Sequence, residues 1–262
     1  MERIFKYPRT RHLSGSGLQK GDEDLETVPF EELVGKYLVI EEKIDGANSG
    51  VSFSEGWELQ LQSRGHFLTG GPRERHFNLF KTWAATHSER FLEVLTDRYV
   101  MYGEWMYAKH TEFYDLLPHY WFEFDILDRG TYSFLSTVKR QELLAGLPIV
   151  SVPIVNFGYF TSLEDLKNNI RHSLYKSANW KQSLRYVAVR EGLDPERALA
   201  ETDPSDLAEG LYIKWEDQGV VKGRYKYVRG EFVQRILDSD EHWLSRPIIP
   251  NQLAPGTDIF GG

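Results

Sequence analysis

Lys43 stands in the run "VIEEKIDGANSGVSF", residues 39–53, between an apolar entry and a turn holding Asp45, Gly46 and Asn48. A lysine amine attacks only when neutral, and at its ordinary pKa near 10.4 it is overwhelmingly protonated at pH 7. Burial behind the apolar "YLVI", or nearby positive charge such as a bound metal or another lysine, lowers that pKa. Gly46 lets the backbone turn tightly beneath a ligand, and Asp45 orients the neighbouring groups. The chemistry implied is nucleophilic attack by Lys43. Spacing alone does not separate this from a surface lysine at a strand end, because a K-x-D-G tetrapeptide arises by chance.

More residues of the right kinds follow in order. Arg64 lies in "SRG" (63–65), Glu104 in "YGEW" (102–105) and Phe124 in "FEFDI" (122–126). Glu209 opens "EGLYIK", which ends on Lys214, and Lys226 lies in "RYKYVR" (224–229). Glu104 is flanked by Tyr102, Trp105 and Tyr107, where an unpaired carboxylate would cost several kcal/mol, so it needs a partner such as a ribose hydroxyl. Taken singly, each has a plainer use: Asn48 in a turn, Arg64 in a surface ion pair, Phe124 in the core, Glu209 facing solvent.

The ordered series resembles motifs I, Ia, III, IIIa, IV and V of the covalent nucleotidyltransferases, which include ATP-dependent DNA ligases, RNA ligases and mRNA capping enzymes. Through "EKIDGAN", "RYKYVRGEF" and the opening "KYPRTRHL" it is most similar to ATP-dependent RNA ligases of the phage, RNA-editing and bacterial end-repair kinds. The resemblance implies an α+β fold, an ATP-grasp-like ligase adenylation (nucleotidyltransferase) domain with two antiparallel β-sheets flanked by helices and ATP between them. It implies Lys43 as nucleophile and Lys226 as the neutraliser of the α-phosphate. Glu41, Glu42, Ile44, Asp45, Asn48, Arg64, Glu104, Phe124 and Lys214 would contact the nucleotide, with Phe124 stacking on adenine. Glu209 would hold Mg2+ or Mn2+, often through water. RNA contacts are expected from Arg9, Arg11, Asn48, Arg224 and Arg229. The last motif departs from the family pattern, since Val228 follows Lys226 at the alternate position. A second phosphate contact is left open among Lys222, Arg224 and Arg229.

The implied reaction joins RNA 3'-hydroxyl and 5'-phosphate ends through lysyl-AMP and RNA-adenylate, in RNA end repair, with a polynucleotide kinase-phosphatase as a functional partner. A GTP-using capping-type guanylyltransferase and a catalytically silent RNA-binding module of the same fold are the competing readings.

These residues need a scaffold. With 262 residues, 41% of them hydrophobic and 14% aromatic, the chain can bury a sizeable core. Cysteine is absent, which excludes disulfides and thiolate zinc sites and fits a reducing compartment. The eight histidines show no i, i+3 or i, i+4 pairing, so a zinc site is not expected, and no P-loop motif appears. No apolar run reaches the roughly 20 residues of a membrane span, and the N-terminus lacks a secretory apolar core, so a cytoplasmic protein with no membrane contact is expected. The net charge is -8, yet Arg3, Lys6, Arg9, Arg11 and Lys20 crowd the first 20 residues, and "GVVKGRYKYVR" (219–229) carries no acid. A basic strip on an acidic body would suit a polyanion.

Alternation predicts strands at "KYLVIEEKIDG", "SGVSFSEGWELQLQSRG", 98–108, 119–128, around 149–158, at "EGLYIKWED" and at 219–229. Residues 74–96 carry Phe77, Phe80, Trp83, Ala84, Phe91, Leu92 and Leu95 at helical spacing, with an interruption near Thr86-His87-Ser88. Further helices are expected at "STVKRQELLAGL", across 162–201 with a break at Gly192–Pro195, and from Gly230. The organisation read from this is a wrapping segment at 1–28, an adenylyltransferase domain at 29–233 with a helical insert at 162–201, and a short C-terminal helix and tail at 234–262. Too few residues follow Lys226 for a five-stranded oligonucleotide-binding barrel. The N-terminal basic residues and the helical insert are expected to help grip RNA.

Overall fold

The apolar entry to Lys43 becomes a strand buried on both faces: Leu38–Ile40 and then Glu41 and Glu42 are buried in succession, with Lys43 half-buried at its end. The computed structural model describes residues 3–18, 24–237 and 247–261. Its strands are β1 (Arg11–His12), β2 (Leu38–Lys43), β3 (Ala47–Phe53), β4 (Leu59–Ser63), β5 (Tyr99–Trp105) and β6 (Trp121–Asp128). They continue with β7 (Ser133–Leu135), β8 (Val150–Ser151), β9 (Ile154–Gly158), β10 (Gly210–Asp217) and β11 (Val220–Val228). The helices are α1 (Asn78–Thr86), α2 (Ser88–Leu95), α3 (Thr137–Leu144), α4 (Leu163–Lys167), α5 (Trp180–Arg190), α6 (Pro195–Ala200) and α7 (Gly230–Leu237). Strands and helices mix without βαβ regularity, the α+β class expected.

The strands run in the order β4-β3-β5-β6-β7-β11-β10-β2-β9, with β1 beside β11 and β8 beside β6. The expected pair of sheets is present as two antiparallel halves, β4-β3-β5-β6 and β11-β10-β2-β9. In the strand order the three-residue β7 joins them, through Leu127↔Phe134 and Asp128↔Ser133 on one side and Val220↔Leu135 and Val221↔Phe134 on the other.

Each half is backed by its own core. Behind the first, α1 and α2 press Phe80, Trp83, Phe91 and Leu95 onto Trp105 and Trp121, all essentially buried. Each such side chain contributes roughly 1.5–3 kcal/mol of transfer free energy. The helix predicted at 74–96 is interrupted at His87, as expected: a short 3-10 turn at Pro72–Phe77 leads into α1, and His87 both ends α1 and begins α2. Behind the second half, Leu38, Ile40, Leu211, Ile213 and Tyr225 are covered by Leu13, Val28, Phe30 and Leu33 from the N-terminal stretch and by Leu166.

In the 162–201 region only α4, α5 and α6 are helical, and residues 168–179 are irregular. α5 and α6 close a small core on Phe113. After β11 comes α7, and among the described residues no further strand follows. Part of the predicted C-terminal helix and tail, residues 238–246 and 262, lies outside the described residues, as do Glu2, Lys20 and His242. Residues 247–261 return to pack along the segment joining β5 to β6, through bridges Ala108↔Pro250 and Leu117↔Leu253. No described helix is long and apolar enough to cross a membrane.

Candidate active site

Strand register assembles the first wall. β10 aligns Gly210 with Lys43 and Val228, Tyr212 with Glu41 and Lys226, and Lys214 with Val39 and Arg224. Side chains alternate between faces with period two. Glu41, Lys43, Tyr212, Lys214, Arg224 and Lys226 therefore share one face, which meets the other half of the sheet where Lys214 reaches Asp125 of β6. Glu42 points to the opposite face, where it accepts a bond from Ser173 Oγ at 2.6 Å.

Lys43 ends β2, and its Nζ donates to Glu209 Oε2 at 2.7 Å. Glu209 directly precedes Gly210, and a Cβ on Gly210 would fall inside contact distance of the Tyr227 carbonyl oxygen and 2.9 Å from its carbon. Gly210→Ala is expected to push β10 from β11 and displace Glu209. The cost should be about 2–3 kcal/mol, read as a lower denaturant midpoint in urea unfolding.

The turn after Lys43 is held from outside itself. Asp45 Oδ2 accepts the backbone N–H groups of Thr111 (2.7 Å) and Glu112 (2.9 Å), and the Asp45 N–H donates to the Tyr114 hydroxyl (3.0 Å). Gly46 N–H donates to Glu104 Oε1 at 3.2 Å, and an added Cβ there would lie 2.6 Å from Met106 Sδ. Asn48 stands opposite Glu104 in the β3–β5 register, and its Oδ1 is buried without a hydrogen-bond partner. Arg64 follows β4, exposed, within electrostatic reach of Glu104. Lys226 is half-buried and within reach of Glu209. Ile44 is buried in the core of the first half.

The electrostatics reverse one expectation. Burial does pull the Lys43 ammonium toward neutrality, but Glu209, Glu104 and Asp45 together outweigh it, and the net pKa is raised rather than lowered. Burial also lifts Glu209 and Glu104, each to about 7, against the opposing pull of Lys43. Among the described residues no three His, Asp or Glu side chains stand close enough to grip a bare metal ion.

Facing this wall, Phe124 is half-buried on β6. The register steps from Tyr102↔Asp125 to Gly103↔Glu123, leaving Phe124 as the extra residue of a β-bulge, a device that re-aims a side chain. Its ring centroid lies 5.0 Å from Tyr7, edge-on, and 6.4 Å from Tyr212. The acids on either side of Phe124 enter a buried ion network. Arg140 Nη1 bonds both Glu123 oxygens at 2.7 Å and its Nη2 bonds Glu41 at 2.8 Å. Lys214 pairs with Glu41 at 2.9 Å and Asp125 at 3.1 Å.

Several expected ligand contacts are thus engaged inside the protein. Glu41 and Lys214 pair with each other, Glu42 is tied to Ser173, and the Arg229 side chain is buried against Asp203 and the Ala208 carbonyl. The pairing satisfies charges that strand alternation forces indoors. Arg224 lies 3.8 Å from the Phe134 ring centroid and 3.7 Å from Asp125, so of the three candidates for the second phosphate contact only Lys222 is exposed. Arg9 pairs with Asp24 at 2.7 Å, and Arg11 lies over Tyr225 at 5.4 Å.

Sequence reasoning overlooked Tyr7, Glu123, Asp125, Arg140 and Tyr114. Tyr7 reaches in from the N-terminal stretch to bond Asp125 and Tyr212. The one signal available was "FEFD", two acids within an aromatic strand that must find cations somewhere.

The sequence model of a family described as RNA ligase matches residues 36–228. Among solved structures, an RNA ligase mutant from Naegleria gruberi without nucleotide is similar with TM-score 0.53 at 17% identity, over 91% of this chain and 61% of its own. A lysine-to-alanine mutant of the Naegleria gruberi RNA ligase with ATP and Mn gives 0.52 at 17% identity, over 90% and 64%. An archaeal ATP-dependent RNA ligase gives 0.51 at 17% identity, over 87% and 49%. The chain thus spans less than two thirds of each of these proteins. No curated protein sequence matches it.

Proposed function

Since the chain belongs to the RNA ligase family, we propose that it is an ATP-dependent RNA ligase, a polynucleotide ligase that joins 3'-hydroxyl and 5'-phosphate RNA ends. The observation carrying this reading is one amine, Lys43, bracketed by the carboxylates Glu209, Glu104 and Asp45, with Lys226 two strands away on the same face. Similar folds were solved with ATP and Mn.

ATP would lie between the halves with its base against Phe124 and its α-phosphate toward Lys226. The Lys43 ammonium first loses a proton to solvent; its nitrogen then bonds to the α-phosphorus as the bond to the bridging oxygen breaks, pyrophosphate leaves with that electron pair, and a second N–H proton is lost to give the phosphoramidate. Glu209 is the residue that would hold Mg2+ or Mn2+, and such an ion would supply positive charge that favours the neutral amine and offsets charge on the phosphate. Glu104 and Glu209 suit such an ion: burial and the nearby Asp45 charge raise both, a strain that a cation would relieve. AMP then passes to an RNA 5'-phosphate, returning Lys43 to the amine, and the 3'-hydroxyl attacks that phosphorus and releases AMP. Storing AMP on the protein divides one hard displacement into easier ones.

The decisive experiment incubates the protein with α-labelled ATP or GTP and a divalent ion, followed by denaturing electrophoresis, then offers nicked and single-stranded RNA. Label from ATP and a sealed product support the reading; label from GTP alone, or none, removes it. Ends for sealing need a 3'-hydroxyl and a 5'-phosphate, so a polynucleotide kinase-phosphatase is the natural functional partner, and the cysteine-free chain suits the cytoplasm.

The same groups set a pH dependence. Glu209, at about 7, must be ionised to hold a cation, and Lys43 must lose a proton to attack. Both requirements have one sign: adduct formation should fall as the pH drops below about 7. Stability moves the other way. A carboxylate raised in the folded state binds more protons there than in the unfolded chain, so its contribution is lost as pH rises from about 4.5 to about 7. Parallel rate and urea-unfolding series across this range check both slopes.

A further inference from the structure

The turn carrying the nucleophile is gripped by a segment with no regular structure. Residues 106–120, between β5 and β6, contain no strand or helix, yet Phe113, Tyr114 and Leu117 are fully buried. Buried backbone without a ladder needs partners for every N–H and C=O. Part of the supply is the Asp45 carboxylate, which takes the Thr111 and Glu112 amides. Most of the rest comes from residues 249–254, beyond the family match at 36–228.

That C-terminal stretch is bonded along the whole segment. Lys109 N–H donates to Ile249 O (2.8 Å), Asn251 N–H to Tyr107 O (2.8 Å) and Gln252 N–H to Tyr114 O (2.9 Å). Leu117 N–H donates to Gln252 O (3.1 Å) and Ala254 N–H to Leu117 O (2.8 Å). Asn251, 0% exposed, uses both ends of its amide: Nδ2 donates to Met106 O at 2.6 Å, and Oδ1 accepts the Tyr114 N–H at 2.9 Å. Its carbonyl accepts from the Tyr120 hydroxyl at 2.9 Å. Asn251 thus fixes Tyr114, whose hydroxyl accepts the Asp45 N–H two residues after Lys43, and Met106, against which Gly46 packs.

We propose that residues 249–254 are the outer half of a clamp that aims Lys43, with Asn251 and Tyr114 as positioning residues for lysine adenylylation. The proposal rests on Lys43 being the nucleophile. Both residues are fully buried. Each acts through the orientation of the turn, and small misalignments of a reacting group cost large factors in rate.

The test measures single-turnover labelling of Lys43 across ATP concentrations for the wild-type protein, Tyr114→Phe, Asn251→Ala and the double variant. Tyr114→Phe removes one hydroxyl from a packed ring and leaves the fold's apolar contacts in place. A positioning role predicts a rate at saturating ATP lower by about 10-fold in each single variant, half-saturating ATP within about 2-fold of wild type, and a double variant no slower than the slower single one. A merely structural role would reduce the amount of labelled protein and leave the rate constant of the folded fraction unchanged; that result overturns the proposal. Should Asn251→Ala fail to fold, the Tyr114→Phe rate decides alone. If wild-type protein takes no label, the assignment of Lys43 fails and the clamp falls with it; if wild type labels and Tyr114→Phe labels equally fast, only the clamp fails.

Discussion

A Lys43→Ala protein is expected to take up no label from α-labelled ATP, a loss on the order of 1,000-fold or more, while remaining folded. The two halves of that expectation have separate causes. No neighbour replaces the amine: Lys226 is two strands away, and Lys214 is buried between Glu41 and Asp125. The fold survives because the Lys43 side chain is 22% exposed, so its removal opens no sealed cavity. Glu209 loses its partner, but a carboxyl already raised to about 7 takes up a proton at little cost near neutrality. The thermal midpoint near pH 7 should move by only a few degrees. RNA supplied already adenylylated bypasses the missing amine, so sealing of that substrate should persist. Persistent labelling of the alanine protein would place the nucleophile elsewhere and end the assignment.

Local features were readable in the sequence wherever one period dominated. The break at His87 showed as a lapse in the apolar spacing of 74–96, and β5, β6, β10 and β11 showed as aromatic and β-branched runs. The proposed nucleophile stood out through the ordered series running from Lys43 to Lys226, since a K-x-D-G turn alone arises by chance.

The partners of charged residues were not readable. Alternation says that Glu41 and Glu42 face opposite ways, but with both faces of β2 buried it does not say which faces the cleft. Arg140 sits on α3 among exposed polar residues, and nothing local shows that its guanidinium reaches Glu123 and Glu41. Only the family resemblance set Phe124 apart from an ordinary strand aromatic, because a bulge is a property of two strands and its register belongs to β5 as much as to β6. The clamp was invisible for the plainest reason: residues 106–120 have no period, and their partners lie more than a hundred residues away.

The buried network gives the largest stability effect. Arg140→Met is expected to cost about 3–5 kcal/mol, because removing one member of a buried ion pair strands the others without water or countercharge. Methionine fills much of the same volume, so a cavity contributes little, and the loss measures charge. Arg140 is buried, and its removal leaves Glu123 with the Ser151 hydroxyl, at 2.9 Å, while Glu41 keeps Lys214. Glu41, already raised by burial, then rises further, since Arg140 is one of the two cations opposing that shift. A carboxylate raised above its unfolded value destabilises the fold at high pH and is relieved when protonated. The deficit relative to wild type should therefore be largest near pH 8 and shrink toward about pH 5, as measured by urea unfolding of both proteins. The network spans β2, β6, β10 and α3, so it also ties the two halves that β7 joins by so few residues. If the variant lost less than about 1 kcal/mol at every pH, those charges would be offset by something other than the arginine. The face carrying Lys43 would then owe its place to strand pairing alone.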